Sequence, residues 1–151
     1  MFLWPGKISI EIPKNNYLSN EKIQGTVKLE LEKDIPARSV RIRLIGMRGS
    51  GKHRRRVHEQ QTIIDNSTQY FAGTKVYQFS FDIPVFRRMD TSGFGPLKGL
   101  IDIFNGDPYS YIDWSLDASL DIPNALDVNQ VKQIYIKEVF STNNTDSNRT
   151  F

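Results

Sequence analysis

Residues 109–123, YSYIDWSLDASLDIP, leave little freedom in how they fold. Ile112, Trp114, Leu116, Ala118, Leu120 and Ile122 alternate with Asp113, Ser115, Asp117, Ser119 and Asp121. Successive side chains of a strand point to opposite faces, so one face here is wholly apolar and the other acidic and hydroxylic. The pattern predicts a strand with one side on a core and the other in water. A shorter echo, residues 76–84, sets Tyr77, Phe79, Phe81 and Ile83 on one face. Both runs end in Asp-Ile-Pro, and proline has no amide hydrogen for a sheet ladder, so each triplet marks a strand end. Together the two runs predict the core of an all-β sandwich.

The remaining strands read less sharply. Ile8, Ile10 and Ile12 alternate with polar residues up to Pro13, and 14–16, Lys-Asn-Asn, reads as a turn. Residues 23–32 put Ile23, Val27, Leu29 and Leu31 inward, with Gly25 on the same side as a candidate bulge. Residues 34–36 read as a turn and 39–45 as a strand with Val40, Ile42 and Leu44 inward and Arg41 and Arg43 outward. Glycines and basic residues interrupt the pattern over 46–58, and 59–65 returns to it. Residues 85–108 lack periodicity, which predicts a functional loop or a short helix around 97–104. Residues 125–131 read as a loose connection and 133–140 as a last strand with Ile134 and Ile136 on one face. The expected layout is one sandwich over 1–140 and a polar, disordered tail over 141–151. Seven or so short strands separated by turn signals favour a sandwich over a helical fold.

A chain of 151 residues suffices for one domain. Cysteine is absent, which removes disulfides and thiolate metal sites and suits a reducing cytoplasm. The first residues, MFLWPGK, lack the basic and apolar regions of a secretion signal, and no apolar run approaches the roughly 20 residues of a membrane span. The expectation is a cytoplasmic protein without a transmembrane segment.

Residues 46–53, GMRGSGKH, match the G-x-x-x-x-G-K of a phosphate-binding loop and follow a strand. The eighth position is His53 rather than the Ser or Thr that would hold Mg²⁺, and no amphipathic helix follows. A glycine-rich hairpin tip accounts for these residues better. The charge around them is more informative. Arg48, Lys52, Arg54, Arg55 and Arg56 put five positive charges in nine residues, and without them the net charge of +3 would be −2. Such a cluster attracts phosphates, acidic peptides, anionic lipids or nucleic acid, although most charge runs are only solvated. No aromatic residue interleaves with it, which argues against stacking of single-stranded bases.

His53 and His58 lack the cysteines or carboxylates of a metal site, so no metal and no cofactor are expected. Asp113, Asp117 and Asp121 recur every fourth residue, about 13 Å apart along a strand, too far for paired acid–base work. They read as solubilising residues or as partners of Arg41 and Arg43 on a neighbouring strand. No catalytic residues are identified, and no enzyme is expected.

With the strands placed, ISIEIPKNNYLSNEKIQGTVKLEL, ARSVRIRLIG, YQFSFDIP and IDWSLDASLDIPNALDV resemble, in order and spacing, the amino-terminal domain of the arrestin superfamily. The likeness covers most of 7–138 and is closer to α-arrestin-like and microbial arrestin-like proteins than to visual arrestins. It implies a single immunoglobulin-like, antiparallel β-sandwich acting as a non-enzymatic adaptor that binds other proteins. The chain departs from the family in having room for one sandwich, not the usual two. It carries no PPxY motif, and residues 93–99 exceed the short loop common at this place. The expected binding surfaces are the basic loop 48–58, with Arg48, Lys52, His53, Arg54, Arg55 and Arg56, and the long loop, with Arg87, Arg88, Phe94 and Phe104. The expected partner is another protein, including one with an acidic or phosphorylated segment. Two alternatives stand beside it: an anion-binding module for nucleic acid or acidic membrane surfaces using the same basic loop, and self-association into a homo-oligomer.

Overall fold

The computed structural model describes residues 6–85, 109, 111–123 and 127–139. Three strands, β1 (Gly6–Glu11), β3 (Lys22–Leu31) and β8 (Gly73–Asp82), form a sheet in the order β1-β3-β8. Five others, β2 (Asn16–Leu18), β5 (Ser39–Arg48), β6 (Arg55–Asp65), β9 (Asp113–Asp121) and β10 (Val128–Lys137), form a second sheet in the order β2-β10-β9-β5-β6. A short ribbon, β4 (Ile35–Pro36) with β7 (Gln69–Tyr70), closes one end. The expected all-β sandwich is borne out.

The core is the meeting of two apolar rows. From the larger sheet come Trp114, Leu116, Ala118 and Leu120 of β9, flanked by Val40, Ile42 and Leu44 of β5. From the smaller come Ile8, Ile10, Ile23, Val27, Leu29, Phe79 and Phe81. The two Asp-Ile-Pro strands therefore lie in opposite sheets. β9 is the central strand of its sheet, paired antiparallel with both β5 and β10. Its second face is not in water as its sequence predicts, because Asp117 and Ser119 are buried beneath the arginines of β5.

Several local expectations are corrected. The interrupted stretch 46–58 is strand on both sides of a tight tip: β5 runs to Arg48, β6 starts at Arg55, and one 3₁₀ turn, Gly51–His53, joins them. The turns read at 14–16 and 34–36 contain the start of β2 and the whole of β4. β2 pairs parallel with β10, so the sandwich is not purely antiparallel. β10 begins at Val128, within the expected loose connection. The expectations for 86–108 and 141–151 lie outside the described residues.

Gly25 is no bulge. Pairing of β3 with β8 runs unbroken from Lys22↔Asp82 to Leu31↔Gly73. The irregularities fall instead in the β5–β6 ladder, at Val40/Arg41 and Gly46/Met47. Gly25 lies where β1 ends: a Cβ there would press into the Glu11 carbonyl oxygen and come within 2.7 Å of Ile12 Cγ2. Backbone cannot yield as a side-chain tip does, so Gly25→Ala is expected to destabilise the fold by about 1–3 kcal/mol. An unchanged urea midpoint would show that β1 can shift to make room.

Candidate functional site

Side chains bridge both lateral seams of the sandwich, and clefts of about 470 and 300 Å³ lie along the seam between β1 and β10. On one, the Ile10 N–H of β1 donates to Gln130 Oε1 at 2.8 Å, and Lys132 Nζ donates to the Ile10 carbonyl at 3.5 Å. Gln130 and Lys132 occupy inward register positions of β10, opposite Ala118 and Leu116, but spend them on the exposed edge of β1. On the other seam, Gln60 Nε2 of β6 donates to the Asp82 carbonyl of β8 at 3.1 Å. Further along, Asp65 accepts from the Tyr77 hydroxyl at 2.6 Å and the Ser67 hydroxyl at 2.8 Å, with Lys75 Nζ at 3.6 Å. Burial alone would raise the Asp65 carboxyl, but these donors outweigh it and hold the group below its ordinary value. Burial and the Asp65 charge push the Tyr77 phenol well up. Side chains occupying an edge strand's free backbone groups remove a template for strand pairing.

The ends of the sandwich are left. At one, a cleft of about 310 Å³ is lined by Leu29, Leu31, Tyr70 and Phe71, near the lower limit for ligand pockets. Its one charged lining group, Lys75, is paired with Asp65. From the other end the β5–β6 hairpin projects. Met47 pairs with Asp113 and Gln60 reaches Asp82, so the end of β8 and the start of β9 lie at the base of this hairpin. Here the Tyr109 hydroxyl donates to the Pro84 carbonyl at 2.6 Å. Tyr109 is buried, its ring 6.3 Å from that of Trp114. That bond ties together the two chain segments flanking 86–108.

The glycines of the phosphate-loop look-alike have structural reasons. A Cβ on Gly46 would stand 2.9 Å from Ile112 Cγ2 and 3.0 Å from Trp114 Cζ3, so this residue makes room for the indole. Gly49 has φ of +93°, and a Cβ there would also press on the His53 carbonyl. The turn closes with His53 N–H to the Ser50 carbonyl at 3.0 Å and Arg54 N–H to the Gly51 carbonyl at 3.3 Å. A strand–hairpin–strand replaces the strand–loop–helix that a nucleotide site needs.

The basic cluster divides in two. Arg54 pairs with Asp113 at 2.8 Å, and Arg56 pairs with Glu59. They extend a ladder of ion pairs over the outer face of the larger sheet: Arg43 with Asp117 at 2.5 Å and Glu59 at 3.4 Å, Arg41 with Asp127 at 3.3 Å and the Ser119 hydroxyl at 2.9 Å. Arg48, Lys52 and Arg55 are exposed and have no acidic partner among the described residues. Arg48 and Arg55 are directly opposite in the ladder. His58 lies 5.6 Å from the Trp114 ring, and burial lowers its pKa, favouring the neutral imidazole. His53 is exposed at the tip.

Of the expected binding residues, the hairpin thus unites Arg48, Lys52, His53 and Arg55 and turns Arg54 and Arg56 aside into ion pairs. Arg87, Arg88, Phe94 and Phe104 lie outside the described residues. The sequence offered no signal for Gln60, Gln130 or Tyr109, whose roles depend on strands distant in the chain. Among the described residues no group of three or more His, Cys, Asp or Glu side chains could hold a metal ion, and no helix is long and apolar enough to cross a membrane.

Residues 6–77 match the family model of the arrestin (or S-antigen) amino-terminal domain. Among solved structures the chain is similar to Spo0M, the sporulation control protein of Bacillus subtilis, with a TM-score of 0.64 and 18% identity. That match covers 91% of this chain and 51% of Spo0M, so this chain spans about half the length of that protein. At such identity the likeness is one of fold alone. The C-terminal domain of wzt follows, with a TM-score of 0.46 and 12% identity over 91% of this chain and 75% of that one. The E. coli curli protein CsgC has a TM-score of 0.37 and 8% identity over 83% of this chain and 96% of its own. Scores this low bear on nothing further. No curated protein matches the sequence.

Proposed function

Taking as premise that the chain is arrestin-like, with the amino-terminal domain of that family over residues 6–77 completed into its sandwich by β8, β9 and β10, we propose that it is a non-enzymatic docking module for other proteins. The observation that carries this reading is where the molecule spends its polar side chains. Gln60, Gln130, Lys132 and Asp65 are committed to bridging the seams, and the outer-face arginines to ion pairs. A surface for a partner is left at the end bearing the hairpin.

That end carries the exposed tip residues Arg48, Lys52, His53 and Arg55, and also Tyr111, 66% exposed just before Asp113. The sequence between the tied residues Pro84 and Tyr109 supplies Arg87, Arg88, Phe94 and Phe104. We include these four in the docking surface, since large apolar side chains on a glycine-rich connection suit an adaptable contact better than a tight turn. A cytoplasmic setting accords with the lack of cysteine.

Two deletions test the surface. In one, residues 87–107 are shortened to a tight turn; in the other, 49–54 are replaced by a two-residue Asn-Gly turn. Each variant is first checked for cooperative unfolding, then compared with the parent for proteins retained from cells of the source. Loss of at least one retained protein by a folded variant is expected. Folded variants that keep the parent's whole set would move the docking surface off this end.

A further inference from the structure

We propose that the β5–β6 hairpin tip docks a carboxylate-rich segment of a partner protein, gripped between Arg48 and Arg55 with Lys52 beyond them. The inference rests on the docking reading above and adds the chemistry of what is docked.

It starts from a contrast within one sheet. Arg41, Arg43, Arg54 and Arg56 each meet a carboxylate within ion-pair distance. Arg48 and Arg55 stand directly opposite each other in an antiparallel ladder instead. Side chains so placed share a face, with Cβ atoms about 5 Å apart, and like charges there destabilise the pairing. Lys52, in the turn between them, adds a third positive charge with no acidic partner among the described residues. The tip is not a slack loop in which such charges could drift apart. Gly49 at φ +93° and the two backbone hydrogen bonds of the turn fix the approach of the strands. A negative group between the two guanidinium forks would relieve the repulsion and accept paired N–H bonds from both, a geometry planar carboxylates match.

The tip also selects among polyanions. Residues 49–56, GSGKHRRR, offer no apolar side chain to enter a lipid surface and no Phe, Tyr or Trp ring on which a base could stack. The unpaired cations occupy one hairpin tip, too short a track to follow a duplex backbone, and the neighbouring arginines are already paired with carboxylates. A projecting hairpin is suited to meeting an acidic segment of another protein, with the charge accelerating encounter.

The experiment uses the full chain and a short synthetic peptide in which Asp and Glu alternate with Gly and Ser. Backbone amide NMR shifts are followed during titration, with a phosphoserine peptide, phosphatidylserine vesicles and a short DNA duplex as parallel probes. Shifts centred on residues 48–55, weakened by added salt and about tenfold weaker in affinity in Arg55→Gln, are expected for the acidic peptide. Shifts elsewhere with 48–55 unmoved would overturn the tip while leaving a docking module standing. Response to the vesicles, the duplex or the phosphoserine peptide alone would overturn the carboxylate partner. The second measurement is on the free protein: Arg55→Glu turns the like-charged pair into an opposite one and is expected to raise the melting temperature by about 2–4 °C while abolishing peptide binding. A melting temperature unchanged or lowered would show that Arg48 and Arg55 do not repel, and the proposal would fall with that premise.

Discussion

Trp114→Ala is expected to cost about 3–5 kcal/mol, enough to unfold a substantial fraction of a domain of ordinary stability. Trp114 is 1% exposed, near the start of the central strand of the larger sheet. Its ladder neighbours are Gly46 on β5 and Ile134 on β10, so the glycine side leaves room for the indole and the isoleucine side packs against it. The His58 ring stands 5.6 Å away and the Tyr109 ring 6.3 Å away. Truncation to a methyl group removes the contacts of all of these at once. The strands beside it are held by their own ladders, so they cannot close over the space, and the cavity adds to the lost transfer energy. The damage should also reach the candidate docking end, because Tyr109 ties the segments on either side of 86–108 through Pro84. Urea unfolding followed by circular dichroism reads the result. The midpoint should fall by roughly 2 M with an unaltered slope. A midpoint equal to the parent's would mean that the indole does not fill the space between the sheets.

The position of Trp114 was legible because β9 is a central strand with one uninterrupted apolar row, and the period of two assigns such a row to a core without knowledge of its neighbours. The same rule misplaced the start of β10. Its inward register positions are Val128, Gln130, Lys132, Ile134 and Ile136, and the two polar members break the alternation. They are polar because they occupy the Ile10 backbone on another sheet, a duty that no local pattern encodes. The basic stretch failed differently. From Arg48 to Arg56 the hairpin runs past the end of the sandwich and its residues are exposed, so nothing obliges its side chains to alternate. Five cations were visible in the sequence; which of them are neutralised was not. That depends on Asp113 lying beside Arg54 across 59 positions of chain, and on the bulge that skews Arg56 toward Glu59. The charge that matters at the tip is what remains once strand register has disposed of the rest.

That disposal can be measured at Arg43. It faces Asp117 directly in the β5–β9 ladder, 2.5 Å from Asp117 Oδ2, and Asp117 is only 7% exposed. Arg43 is the one cation paired with that carboxylate among the described residues, since Arg41 turns to Asp127 and Arg54 to Asp113. Arg43→Met is therefore expected to cost about 3 kcal/mol, the lower part of the range for orphaning a buried charge because the arginine itself is partly in water. Asp117→Leu alone should cost less, as Arg43 can still turn to Glu59 at 3.4 Å. The double variant, Arg43→Met with Asp117→Leu, should recover most of the loss, since an apolar pair of similar volume avoids burying either charge. A cycle of the four proteins in urea gives the coupling directly, expected near 2 kcal/mol in favour of the native pair. Coupling under about 0.5 kcal/mol would class Arg43–Asp117 with solvated surface pairs. In that event the division of the arginines into a neutralised ladder and an unsatisfied tip would lose its physical basis, and Arg48 and Arg55 would be no more available than their neighbours.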